Sequence, residues 1–288
     1  MASTALRPGR SVVVTNAGAG LGRAVALGLA AKGYIVFGTA VSAAEVSDLK
    51  AASGGRVSLA VCDMTKAMSV QAWAGGVTDA LGSTGLQLLI NNARFLMHGP
   101  VELLQLDAIR HEFECNVFGA ISVTNAFLPA LRMARGRVVQ ISSWMANLPL
   151  PFSGPSEASH AAIEVFSAVY RAELKLFGIE VVVACVGDVT TSGPAKAAAL
   201  AQIAHAMTSG QRRIYGKTLG TAAATLSTLT TTDITLAAAA ARVVDIAEQH
   251  PAPSRIAVGR TAERMLRAAR EKPDAELDAL RLSLVGLS

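Results

Sequence analysis

Cysteine is scarce in this chain. The three thiols, Cys62, Cys115 and Cys185, stand far apart, are odd in number, and show no metal-ligand spacing. That excludes a disulfide scaffold and sets the expectation of a reducing, cytoplasmic setting. Cys62 and Cys185 lie in apolar runs and read as buried thiols. Aromatics make up only 5% of residues and charged side chains 16%. Lys and Arg number 26 against 21 Asp and Glu, a modest excess spread over small clusters at 132–137, 211–217 and 260–272. No basic stripe is interleaved with aromatics, so no nucleic-acid partner is expected. An anionic small molecule suits such an excess better. "MASTALRPGRS" lacks the apolar core of a leader, and no uncharged apolar run has the look of a membrane span. The Ala-rich "TLAAAAARVVDIAEQ" is broken by charge and reads as the helix of a soluble domain.

What is abundant is apolar and small. The chain has 288 residues, 51% hydrophobic, with 25 glycines. That is enough for one large domain over 1–288 with a well-buried core. Strands are expected at 11–15, 34–40, 56–63, 86–91, 137–142, 179–186 and 255–259. Most are continuous apolar runs, as strands covered on both faces require. Helical stretches lie between them, among them 22–32, 67–81, 107–134 and 157–177. The alternation predicts a doubly wound parallel α/β sheet of about seven strands with helices on both faces. Ligands then bind beyond the carboxyl ends of the strands. Residues 192–235, rich in Ala, Thr and Ser, read as a substrate-side lid or insertion.

The first strand runs into "TNAGAGLGRAVA", which places Gly18, Gly20 and Gly22 between a strand and a helix. Glycines there allow a sharp turn and let a phosphate approach the helix N-terminus. The turn resembles the T-G-x-x-x-G-x-G turn of the short-chain dehydrogenases/reductases. Thr15, Gly20 and Gly22 are in register, and Asn16 replaces the first glycine; Asn is the residue that best tolerates left-handed backbone angles after glycine. "VCDMT" resembles the strand-end aspartate motif, with Asp63. "INNAR" resembles N-N-A-G, with Arg94 in place of the glycine. "NVFG" carries Asn116, "ISS" carries Ser143, and "VGDVTT" keeps Gly187 and Thr191. The C-terminal "RIAVGRTAERML" is similar to the branch that includes the 17β-hydroxysteroid and retinol dehydrogenases.

The resemblance implies a single Rossmann-type domain that binds NAD or NADP and oxidises or reduces an alcohol or carbonyl. It implies cofactor contacts from Thr15, Asn16, Gly18, Gly20, Leu21, Gly22, Asp63, Met64, Asn91, Ala93, Arg94 and Thr191. It also implies a homodimer or homotetramer built on the helices around 107–134 and 157–177, and the apolar lid suggests a hydrophobic substrate. "FGTAVSAAE", after the second strand, offers neither an Asp for ribose hydroxyls nor an Arg for a 2′-phosphate, so NAD against NADP stays open.

The catalytic slots depart from the family. "PSEASHAA" lies over P-Y-x-A-S-K-A-A, so the tyrosine slot holds Ser156 and the lysine slot His160. The implied site is therefore Asn116, Ser143, Ser156 and His160. A serine hydroxyl does not titrate near neutrality and is too short to replace a phenol. Without the usual general acid, hydride chemistry is expected to be impaired or differently catalysed. A lyase, isomerase or cyclase reusing the cleft, or a protein that only binds, are the other readings. His160 could be a base oriented by Glu164, spaced by four on one helix face, or a passive survivor. His98 either reaches the same cleft or decorates the surface. Arg94 intrudes on the cofactor site, binds a phosphate or carboxylate there, or points outward.

Overall fold

The computed structural model describes residues 10–187, 189, 192–228 and 233–287. Seven strands form one parallel sheet: β1 Ser11–Val14, β2 Ile35–Ala40, β3 Val57–Val61, β4 Leu88–Asn91, β5 Arg137–Ser143, β6 Glu180–Val186 and β7 Arg255–Val258. Their spatial order is β3-β2-β1-β4-β5-β6-β7. The seven expected strands are all present, and the reversal of order falls between β1 and β4.

The helices are α1 Gly20–Ala31, α2 Ala43–Ala52, α3 Ala67–Leu81, α4 Leu106–Phe113, α5 Gly119–Ala134, α6 Gly154–Leu174, α7 Ser192–Ala206, α8 Ser209–Thr228, α9 Leu236–Glu248, α10 Arg260–Glu271 and α11 Asp274–Leu284. The period of two along a strand sends alternate residues to opposite faces. Val12 and Val14 accordingly join α1 and α9 in one core cluster, and Val13 joins α3 and α5 in another. Both faces are thus sealed, which is why the strands carry so little polar alternation.

The helix expected over 107–134 is not continuous. Residues 114–118 form a π turn between α4 and α5. Such turns mark places where a side chain has work outside the helix ladder, and Asn116 sits in this one. The stretch Leu106–Ala134 is long and apolar enough by composition to cross a membrane, with a mean hydropathy of 1.3. Its inner face, however, is committed to the sheet through the fully buried Val123, Phe127 and Leu131. The helix expected over 157–177 starts earlier, at Gly154, because Pro155 fixes its first turn. Cys62, expected to be buried, is only half-buried beside the strand ends; Cys185 is buried as expected.

The segment expected as a lid forms two helices, α7 and α8, packed on each other. Leu200, Met207, Leu219 and Ala222 are buried in a third cluster with Trp144, Met145, Leu148 and residues of α10 and α11. This cluster stands beyond β5 and β6 and walls one side of the strand ends.

A cavity of about 560 Å³ lies at the other end of the sheet, between Arg10, Lys32, Tyr34, Arg137 and Glu248. It is stitched by ion pairs, Lys32 to Glu248 at 2.6 Å and Arg10 to Glu248 at 3.3 Å. Arg137, almost fully buried, donates to the last carbonyls of α9 at Ile246 and Ala247 and pairs with Glu180. A cation at a helix C-terminus complements its dipole. The charges of this cavity are spent on joining α9 to the sheet.

Candidate active site

The turn after β1 is built as its sequence requires. Asn16 adopts φ +50° and Gly20 φ +54°. A Cβ on Gly22 would stand 2.3 Å from the Asn16 carbonyl and 2.4 Å from Asn92 Nδ2, so only glycine fits. Asn92 Nδ2 donates to the carbonyls of Thr15 and Asn16, and the Thr15 hydroxyl accepts from the amides of Asn92 and Ala93. The end of β4 therefore holds the turn. The N-terminus of α1 has no side-chain cap and no acidic residue in its first turn, and a Cβ on Gly20 would meet nothing within 4 Å. Its amide groups are left for an anion, which fits the phosphate half of a nucleotide.

A cavity of about 350 Å³ opens there, at the ends of β1, β2 and β3. Asn16, Asp63, Met64, Ala93 and Arg94 line it. The Asp63 carboxylate accepts from the amide and hydroxyl of Thr65, which hold its pKa below the ordinary carboxylate value. Leu21 instead packs in the core, and the Asn91 side chain turns away to donate to Thr124 on α5. Neither side chain is available to a ligand in this cavity. Thr191 lies outside the described residues.

One acidic residue at this site was not singled out in the sequence. Ser42 caps α2, and Glu45, three residues on, folds its carboxylate back to accept from the Val41 amide at 3.0 Å. The same carboxylate lies against Gly18, where an added Cβ would stand 2.1 Å from Glu45 Oε2. The S-x-x-E spacing of a capping box is the signal that points to it. Arg23 pairs with Asp48 at 2.8 Å and is thereby occupied.

A second cavity, about 210 Å³, adjoins the first at the ends of β5 and β6. Ser143 and His160 line it together with Arg94, His98, Glu157 and Lys196. His98 thus reaches the cleft. Burial, with the charge of Lys196 as a smaller cause, holds its pKa down at about 4, so it is neutral near pH 7. Lys196 is nearly buried and donates to Met145 Sδ at 3.4 Å.

Asn116 and Ser156 do not line this cavity. Both hold the loop between β4 and α4. Asn116 accepts from the Phe95 amide and donates to the Phe95 carbonyl, each at 2.7 Å, and also donates to Ser159. Ser156 accepts from the Met97 amide and donates to the Met97 carbonyl, each at 2.9 Å. As along a strand, residues two apart present their backbone groups to the same side. The intervening Arg94, Leu96 and His98 are the ones that line the cavity. Ser156 is thus a backbone clasp, with its proton already committed to the Met97 carbonyl.

Glu164 is not the partner of His160. It accepts from Ser142 at 2.6 Å, Arg255 at 2.5 Å and Asn147 at 3.3 Å, well along α6 from the cavity. The acidic neighbour of His160 is Glu157, one turn earlier, with Oε2 3.8 Å from Nδ1. Both residues are more than nine-tenths buried, and both of these atoms lack a hydrogen-bond partner. Nδ1 is sealed on the Glu157 side, which leaves Nε2 to face the cavity. Glu112, fully buried on α4, makes no hydrogen bond of ordinary geometry through either carboxylate oxygen, although Ser156 and the Met97 amide lie near enough to favour its charged form. The i, i+3 spacing of Glu157 and His160 was visible in "PSEASHA"; the approach of Glu112 across two helices was not.

A family model described as short chain dehydrogenase matches residues 10–200. Rat estradiol 17-beta-dehydrogenase 2 is 34% identical over 177 residues, 60% of this chain and 46% of that protein. Mouse retinol dehydrogenase 16 is 31% identical over 210 residues, 72% of this chain and 66% of that protein. The chain therefore spans about half the length of the estradiol dehydrogenase it matches. Among solved structures, a short-chain dehydrogenase from Streptomyces avermitilis superposes with a TM-score of 0.75 at 27% identity, covering 98% of this chain and 99% of that one.

Two outcomes test this geometry. Ser156→Ala leaves the Met97 amide and carbonyl unpaired, which costs about 1–3 kcal/mol. Urea denaturation should show that loss, and the Met97 amide should exchange faster with solvent. Glu112 supplies the second. Burial raises its carboxyl above the ordinary value, the Glu157 charge adds to this, and Ser156, the Met97 amide and His160 oppose it. The folded state holds this proton more tightly than the unfolded chain does. Its contribution is full below the ordinary value of 4.5 and is lost as pH rises through the raised folded value. Glu112→Gln should therefore be more stable than the wild type at neutral pH and lose that advantage in acid; equal stability at neutral pH would rule this out.

Proposed function

We propose that this chain, which belongs to the short-chain dehydrogenase family, is an oxidoreductase that uses a nicotinamide nucleotide on a small alcohol or carbonyl compound and moves the proton through His160 and Glu157. The observation that carries this reading is the pair of unpartnered, buried atoms, Glu157 Oε2 and His160 Nδ1, in the cavity that also holds Ser143. The uncapped end of α1 and the adjoining cavity fit the nucleotide; its phosphates would meet the amides after Gly20. Glu45, lying against Gly18, favours ribose hydroxyls over a 2′-phosphate and hence NAD(H) over NADP(H).

When bound, the nucleotide supplies the hydride acceptor or donor. The chain supplies the proton path. Ser143 orients the reacting oxygen. In the oxidative direction His160 Nε2 takes the hydroxyl proton; in the reductive direction it returns the proton to the carbonyl oxygen. The Glu157 carboxylate faces Nδ1 and stabilises the imidazolium that forms, the logic of a carboxylate–imidazole pair in a catalytic triad. Their 3.8 Å separation is that of a pair that tightens only when a ligand is present. The same pair suits an isomerase or lyase reaction without hydride transfer, and product formed in the absence of any nucleotide would identify that case.

The deciding experiment compares variants on an alcohol and carbonyl panel, with calorimetry for nucleotide binding. His160→Gln should lose about 10²–10⁴ in kcat while nucleotide affinity stays unchanged, and NADH should bind more tightly than NADPH. Ser156→Ala, measured at a temperature where it is folded, should lose far less than His160→Gln, because Ser156 holds the loop and carries no proton. The reverse pattern, with Ser156→Ala inactive and His160→Gln active, would return the proton to the serine. We also propose that the exposed Phe118, in the turn before α5, and Val165, Phe166 and Val169, on α6, pack against a second copy of the chain. Light scattering should give at least a dimeric mass at micromolar concentration.

A further inference from the structure

Arg94 stands where the two cavities meet and lines both. It is exposed, but onto these cavities: the surrounding protein lowers the pKa of its guanidinium, against the opposing effect of the Glu157 charge. That guanidinium makes no hydrogen bond or ion pair with any described residue. This sets it apart from Arg23, Arg137 and Arg255, each of which has a carboxylate within 2.8 Å. A partly desolvated cation without a partner is costly, and a guanidinium presents a planar fork that matches a carboxylate through two parallel hydrogen bonds. Asn116 holds the backbone of Phe95, the residue next to Arg94, by two hydrogen bonds, which anchors the base of the arginine side chain beside both cavities.

From this placement we infer that Arg94 is a carboxylate clamp, and that the pocket takes a short hydroxy or oxo acid. The acid's carboxylate pairs with the Arg94 fork. Its hydroxyl or carbonyl oxygen lies toward Ser143 and His160, and its hydrocarbon rests on Leu96, Met145 and Val186. A cavity of about 210 Å³ among the described residues suits a ligand of a few carbons; larger ligands need about 300–1,000 Å³. The inference rests on the oxidoreductase reading for what happens to the acid, but not for its binding.

The experiment separates the two. Calorimetric titrations use unbranched 2-, 3- and 4-hydroxy acids, the methyl ester of whichever binds most tightly, and inorganic phosphate, with the wild type, Arg94→Met and Arg94→Lys, with and without NADH. At least one acid should bind the wild type about tenfold to a hundredfold more tightly than its ester, the range one or two charge-assisted hydrogen bonds provide. Arg94→Met should erase that difference while leaving the affinity for the ester and for NADH unchanged, and Arg94→Lys should restore part of it. Equal binding of acid and ester by the wild type overturns the clamp. So does an Arg94→Met variant that binds the acid as before, or that loses NADH or phosphate binding instead, which would give Arg94 to the nucleotide's phosphates. An acid that binds through Arg94 but is never oxidised sustains the clamp and removes the oxidoreductase reading.

Discussion

The backbone clasp on the loop after β4 is the constraint from which the site takes its form. Asn116 and Ser156 each use both a donor and an acceptor to hold a single residue, Phe95 and Met97. The residues that alternate with the held ones, Arg94, Leu96 and His98, line the cavity, and His98 adds a contact of its own, from Nδ1 to Ser153 Oγ at 3.3 Å. The π turn before α5 belongs to the same device, since it carries Asn116 to the loop. The Ser156 side chain is short enough to lie between the Met97 amide and carbonyl, so its hydroxyl serves the loop.

The framework was legible in the sequence, and the reasons are local. Continuous apolar runs forced strands covered on both faces, and the spacing of Gly18, Gly20 and Gly22 forced a turn that Asn16 could join because it tolerates a positive φ. Ser143 and His160 fell in one cavity as the register of "ISS" and "PSEASHA" required. What the sequence concealed depends on distance across elements. Nothing in "NVFG" tells that the helix breaks to deliver Asn116 to a backbone, because helix propensity sees only neighbours. Periodicity put Glu164 four residues from His160 on one face. It did not show that Ser142 and Arg255, from two strands, would engage that carboxylate and leave Glu157 as the histidine's neighbour. Arg94 stood equally for intrusion, binding and an outward orientation until its position between two cavities was known.

The cavity runs against the usual economy of a protein interior. Glu112, Glu157 and His160 are buried with unpartnered atoms within one small region where α4 meets α6. Groups of this kind weaken a fold unless a ligand or a proton completes them. Other buried unpartnered atoms among the described residues, on Arg23, Asn91, Trp144, Asp233 and Arg281, occur one to a residue, whereas Arg137 satisfies two carbonyls and a carboxylate and Glu164 accepts from three side chains. Glu112, Glu157 and His160 stand apart because their unmet atoms gather in one place, where local rules are expected to yield to function.

The third hydrophobic cluster has a consequence for the history of such a protein. The family match ends at residue 200, inside α7, and α8, α10 and α11 beyond it complete a core with Trp144, Met145, Leu148 and, from β6, Val183 and Cys185. The glycine turn, Asp63 and Asn92 lie outside that cluster. Mutations that reshape the wall against which a substrate rests can therefore accumulate without disturbing the turn after β1. The two regions still meet in one strand: Val182, Ala184 and Val186 of β6 face the cluster behind the turn, and Val183 and Cys185 face the wall.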